Sequence, residues 1–158
     1  MPTLTEAFND AGAPLANPLN NWSAIAPDRS FIAMTIWEHE WRQFSDQRPL
    51  LGPLVPGAYR YFRNTPEYIA EWNATRVAAG RPPADSTVGW RKMKEHLGEA
   101  FTRNLPVKVV FIWPPAGQAP DGAERAQVNQ ANYVDRWSCA VTYFDRNTGS
   151  YEIVIRPA

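Results

Sequence analysis

Seven residues flanked by Pro106 and Pro114, Val107-Lys108-Val109-Val110-Phe111-Ile112-Trp113, constrain this chain more than any other stretch. The run is almost unbroken in apolar character. A strand whose two alternating sets of side chains are both apolar belongs in the middle of a sheet. Val110 and Ile112 share one of its faces and are expected in the core.

A second apolar stretch reads as a β-hairpin. Residues 21–26 are short and bounded by Asn and Pro. Pro27-Asp28-Arg29-Ser30 is turn chemistry, because Pro fixes φ and Asp bonds the following backbone. Residues 31–37 are rich in β-formers. Ile32, Met34 and Ile36 share one face; Phe31, Ala33, Thr35 and Trp37 share the other. If the strand runs on, Trp37, His39 and Trp41 line one side, the two indoles about 13 Å apart, and Glu38 and Glu40 the other. If it turns helical after Glu38, Trp37 and Trp41 become neighbours one turn apart. The tryptophans are then either core or the walls of an aromatic pocket.

Elsewhere the sequence punctuates itself. Thr3-Leu4-Thr5-Glu6 has the capping-box form, with Thr3 as N-cap, and Gly12 suits the C-terminal cap of a short helix. Residues 42–57 are broken by three prolines and read as a loop. Tyr59-Arg60-Tyr61-Phe62-Arg63 interleaves aromatic and basic groups, as base stacking and phosphate contact would want, or forms an edge strand with its arginines in water. Thr65-Pro66 reads as an N-cap and first helical residue. Ser86 reads as the cap of a further helix with Trp90, Met93, Leu97, Ala100 and Phe101 on one face. Residues 116–132 read as a polar loop. Residues 137–144 and 150–156 form a second hairpin around 145–149.

Composition narrows the class. At 158 residues the chain is expected to be one domain spanning 1–158. Sixteen basic residues balance sixteen acidic ones, so no global field draws it to DNA or to a membrane surface. The single cysteine, Cys139, rules out an internal disulfide and a cysteine-built zinc site, and fits a reducing cytoplasm. No apolar run reaches the roughly 18 residues of a membrane span. The N-terminus does not have the form of a signal peptide. Residues 59–108 hold nine basic residues against five acidic ones, a net of +4. That balance marks either a phosphate-facing surface or two helices with solvated basic faces.

Chemistry-bearing motifs are sparse. Glu38-His39-Glu40 is the only compact acid/base cluster. A zinc-protease helix needs a second histidine four residues away, which is lacking. Glu152-Ile153-Val154 lacks the lysine of a nuclease strand motif. Cys139, between Trp137 and Val141, reads as a small buried hydrophobe, and His96 as a surface or boundary residue. No cofactor and no metal are expected.

Ala7-Phe8, Gly12-Ala13, Leu15, Asn21-Trp22-Ser23, an aliphatic strand ending in Trp37-Glu38, then Gly89-Trp90 and the 107–113 strand together resemble an uncharacterised domain. It is associated with phage proteins and with the N-terminal part of some HNH-type endonucleases. The chain departs from that pattern at Ala24, where a second aromatic is expected, and at Asp28-Arg29, where Asp-Gly is expected. The order of elements is also similar to that of PUA-like readers such as the EVE, ASCH and YTH domains, small barrels that hold a modified base between aromatic walls. The resemblance implies nucleic-acid work in a restriction or phage-defence setting.

The expected fold is α+β: a mixed or antiparallel sheet of about five strands with two or three helices packed on it, a closed or half-closed barrel being the alternative. The first functional expectation is a nucleic-acid or nucleotide binding module. Trp22, Trp37, His39, Trp41, Tyr61 and Trp90 would hold a base, and Arg60, Arg63, Arg91 and Lys92 would meet phosphates. The second is a small enzyme using Glu38, His39 and Glu40. The third is a protein-binding domain, such as a phage inhibitor, whose exposed aromatics engage a partner.

Overall fold

The computed structural model describes residues 3–16, 22–37, 59–83, 88–113, 130–133 and 137–157. Glu38, His39, Glu40 and Trp41 lie outside them, as does Ser86. The elements run α1 (Leu4–Ala11), β1 (Ser23–Ile25), β2 (Ile32–Trp37), β3 (Tyr59–Arg63), α2 (Thr65–Ala78), α3 (Val88–Arg103), β4 (Pro106–Trp113), β5 (Gln130–Tyr133), β6 (Trp137–Phe144) and β7 (Tyr151–Pro157).

The seven strands form one mixed sheet in the order β1-β2-β4-β6-β7-β3, with β5 also paired to β4. The sheet is open, so the barrel alternative is not realised, and the class is α+β. The seven-residue apolar run is central, as expected. It forms most of β4, parallel to β2 from Ile32↔Val107 to Trp37↔Ile112. On its other side the N-terminal end of β4 meets β6 and the C-terminal end meets β5, both antiparallel. β5 corrects the expectation of a loop over residues 116–132. Gln-Ala-Asn-Tyr carries little strand signal, and its pairing to β4 is what makes it one.

A sheet buried on both faces needs cover on both. Ile32, Met34, Ile36, Val107, Val109 and Phe111 pack on one side against Trp90, Met93, Leu97 and Ala100 of α3. Ala33, Trp37, Val110 and Ile112 pack on the other against Ala7, Phe8 and Ala11 of α1. Trp37 is therefore core, 3% exposed, beneath α1.

Local chemistry sets the helix ends. The Glu6 amide donates to Thr3 Oγ1 at 3.2 Å. Gly12 takes φ 84°, and its amide and that of Ala13 close on Asn9 O and Phe8 O. Lys108 Nζ donates to Ala11 O at 2.7 Å, satisfying a carbonyl at the C-terminal end of α1. The N-cap of α2 is Asn64, whose side chain accepts from the Glu67 amide, rather than Thr65. Thr65 is instead drawn into the β6–β7 turn: its amide donates to Ser150 Oγ at 3.1 Å and its hydroxyl to Gly149 O at 2.8 Å.

The β1–β2 turn also follows its sequence. Asp28 Oδ1 accepts from the Ser30 amide and hydroxyl. Arg29 sits at φ 60°, left-handed backbone that glycine adopts freely and arginine does not. This is the position where the resembled pattern carries glycine.

Two outcomes are expected. Val110→Asp places an unpaired charge at a position that is 0% exposed. It costs several kcal/mol, on the order of the whole stability, and leaves no cooperative urea transition. Arg29→Gly is more stable than Arg29→Ala by about 1 kcal/mol in urea melts, since both lose the side chain but only alanine keeps the strained φ.

Candidate functional site

α3 is the element on which the chemistry collects. At 3.6 residues per turn, Trp90, Met93, Leu97 and Ala100 form one stripe toward the sheet. Arg91 and Lys94 fall on one flank of that stripe, and Lys92, Glu95, His96 and Glu99 on the other. Each flank borders a cavity.

The first cavity, about 190 Å³, lies between the start of α2, α3 and the β6–β7 turn. Ile69, Trp90, Met93, Leu97 and Tyr151 give it apolar and aromatic walls, and Arg91 and Lys94 stand at its margin. Trp90 is braced from two directions. The Trp22 ring lies 5.0 Å away, tilted by 33°, and the Tyr68 ring meets it edge-on at 5.0 Å. Behind Tyr68 lies Arg63, its guanidinium carbon 3.8 Å from the Tyr68 ring centre, with Nη2 donating to Tyr61 Oη at 2.6 Å. The β6–β7 turn is held rigid on the far side. Asp145 Oδ1 accepts from the Asn147 and Thr148 amides, which keeps that carboxyl below its ordinary range, and Gly149 takes φ 79°.

The second cavity, about 290 Å³, lies between β1, the residues after α1 and the opposite flank of α3. Ser23 Oγ and His96 Nδ1 are 2.6 Å apart. Ser23 is fully buried, and its hydroxyl meets no other acceptor among the described residues. It therefore donates to Nδ1, and the ring proton sits on Nε2. Arg29 Nη2 bonds both oxygens of Glu99, at 2.6 and 2.5 Å, and Arg103 Nη1 bonds Glu99 Oε1 at 2.7 Å. The Arg29 hydrogen bond keeps the Glu99 carboxyl below its ordinary range. Lys92 Nζ is 3.4 Å from Glu95 Oε2, with both side chains largely in solvent.

Burial holds the His96 pKa below its ordinary value; Glu95 and Glu99 pull it up, while Lys92 and Arg29 add to the depression. The imidazole is neutral at pH 7. Cys139 is buried and its thiol is pushed up to about 12 by desolvation, so no thiolate nucleophile forms there. Glu152, on the sheet face away from α3, is 1% exposed; Thr142 donates to its Oε1 at 2.7 Å.

Of the residues singled out from sequence, Trp22, Tyr61, Arg63 and Trp90 gather on the α3 side of the sheet. Trp37 is on the opposite side, apart from them. Arg60 alternates with Tyr61 and Arg63 and faces away from α3. Arg63 is 6% exposed and stacked on tyrosine, not in water. Arg91 and Lys92 are exposed on the two flanks of α3.

Sequence reasoning missed Ser23, Lys94 and His96 as site residues. Only the position of His96 beside the apolar stripe of α3 hinted at it, since its partner is 73 residues away. Among the described residues no group of three or more His, Cys, Asp or Glu is placed to hold a metal. No helix among them is long and apolar enough to cross a membrane. Comparison with protein-family models, with curated proteins and with solved structures finds no match.

The His96 geometry has a consequence in solution. Its pKa in the folded state lies below the unfolded value near 6.5, so the unfolded chain binds the proton more readily. The contribution is complete above about pH 6.5 and is lost as pH falls below it. Urea melts at pH 7.5 and pH 5.5 are expected to show lower stability at the lower pH, and His96→Gln to flatten the difference.

Proposed function

We propose that the chain is a nucleic-acid or nucleotide binding module that seats a base in the cavity walled by Trp90. The observation that carries this reading is one apolar, aromatic-walled recess with Arg91 and Lys94 at its margin. A planar ring gains stacking and apolar burial there, of the order of 1–3 kcal/mol per base. A phosphate attached to it meets two cations that are exposed, so desolvating them costs little. The recess, at about 190 Å³, is smaller than the roughly 300–1,000 Å³ of sites for drug-sized ligands. It fits a single ring system, the sugar and phosphate staying at the rim. Trp22 and Tyr68 support the wall by fixing the Trp90 ring. A phage or restriction setting in the cytoplasm, and a preference for modified bases, belong to the same proposal and rest on the sequence resemblance.

The test is titration with the ribo- and deoxyribonucleoside monophosphates, methylated bases included, followed by tryptophan fluorescence. Binding is expected with at least one base, weakened about tenfold by Arg91→Ala with Lys94→Ala, a loss of about 1.4 kcal/mol. Both residues are exposed, so the double variant keeps its fold. No fluorescence change at millimolar nucleotide with any base overturns the reading.

A further inference from the structure

We propose that the cavity beside His96 is a second subsite, for a phosphate oxyanion, so that the ligand is a single strand crossing α3 rather than a lone nucleotide. The inference rests on the base-binding reading of the first cavity and adds the ligand's length and direction.

Four observations converge. The two cavities border opposite flanks of one helix, and a helix with its side chains is about 10–12 Å across. A ligand filling both must therefore be longer than one nucleotide. The exposed side of α3 between them carries Arg91, Lys92 and Lys94 with the single carboxylate of Glu95 among them, so a polyanion crossing it meets mostly cations. The subsite is built, not merely charged: buried Ser23 fixes the His96 ring through Nδ1 at 2.6 Å and leaves Nε2–H as a donor beside the cavity. The ion pairs around the cavity also leave one cation loosely held. Arg29 and Arg103 share the single carboxylate of Glu99, while Lys92 is matched only by a solvent-exposed Glu95 at 3.4 Å. The lining itself holds Arg29 and Lys92 against Glu95 and Glu99, so its charge is balanced, and Lys92 is the cation least committed to a partner.

A phosphodiester oxygen accepting from His96 Nε2–H, with Lys92 swinging from Glu95 to the second oxygen, completes the oxyanion contact. The pairing of Glu99 with two arginines spends its charge, so it repels the phosphate less than a free carboxylate would. Glu95 stays at the mouth as the group Lys92 must leave.

The experiment compares a nucleoside, a trinucleotide of the same base and inorganic phosphate on the whole chain. Fluorescence reports the tryptophan side, and the ¹⁵N shift of the His96 ring reports the other, in a His39→Gln background that leaves one histidine. The trinucleotide is expected to bind at least tenfold more tightly than the nucleoside and to move the Nε2 resonance. Lys92→Glu should abolish that gain, leave nucleoside binding unchanged and lower the salt slope by about 0.7, one phosphate on a single strand. A trinucleotide that gains nothing over the nucleoside, or a gain that survives Lys92→Glu, overturns the proposal. If the nucleoside does not bind but phosphate or the trinucleotide still moves Nε2, the base cavity fails while the oxyanion site stands. If inorganic phosphate moves Nε2 and the trinucleotide does not, the site serves a small phosphorylated ligand and the strand reading is lost.

Discussion

The parallel pairing of β2 with β4 is the constraint on which the rest depends. Six consecutive residues of each strand are in register, and all six of β2 are buried. Two parallel neighbours cannot be joined by a tight turn, so the chain must travel away from the sheet and return. Here it returns through α3, which runs directly into β4. The same double burial that demands a helix on each face delivers α3 to one face and α1 to the other. α1 has the smaller task. Its contact side is Ala7, Phe8 and Ala11, and the two alanines let a helix of 8 residues lie close to the sheet.

Once α3 is pinned by its Trp90–Ala100 stripe, its flanks have nowhere to bury. Each one fills the angle between the helix and a neighbouring element, and each angle holds a cavity. On one side the neighbour is the β6–β7 turn, brought close by Thr65 bonding Gly149 and Ser150. On the other it is β1, whose Ser23 points into the helix side of the sheet where an apolar residue would be usual. The serine is explained by His96: a ring held half-buried against the sheet requires a hydroxyl there. Gly98 contributes on the same helix. A Cβ there would sit 3.2 Å from the Phe144 ring, so glycine lets α3 settle onto β6.

Much of this fold was legible in the residues. The Thr3 cap of α1, both hairpins, the central β4 and the apolar stripe of α3 rest on local periodicity and turn chemistry and appear where those signals placed them. The exception is Phe101, expected on the stripe, which is 41% exposed because it falls at the edge of the face that meets the sheet. β5 was not legible, because Gln, Ala and Asn carry no strand signal and the stretch becomes a strand only through the free edge of β4 beside it. The face on which Trp37 lies followed from alternation. Its separation from Trp22 and Trp90 did not, because that depends on which helix covers which side of the sheet. The same holds for Ser23 with His96 and Arg29 with Glu99, contacts across 73 and 70 residues that no local pattern announces.

Arg29 shows how those long-range contacts rewrite a local rule. A left-handed turn position calls for glycine, and a side chain there costs about 1–2 kcal/mol. The arginine is retained in a conformation that aims its guanidinium at both oxygens of Glu99. An exposed ion pair of this kind offsets only part of the strain. The stability balance alone therefore does not account for the residue. What the pairing does achieve is positional: it ties the β1–β2 turn to the last third of α3 and closes one side of the cavity beside His96. It also neutralises the charge that Glu99 would otherwise present to that cavity. A strained residue whose side-chain hydrogen bonds, among the described residues, shape a charged recess is better explained by that recess than by the fold.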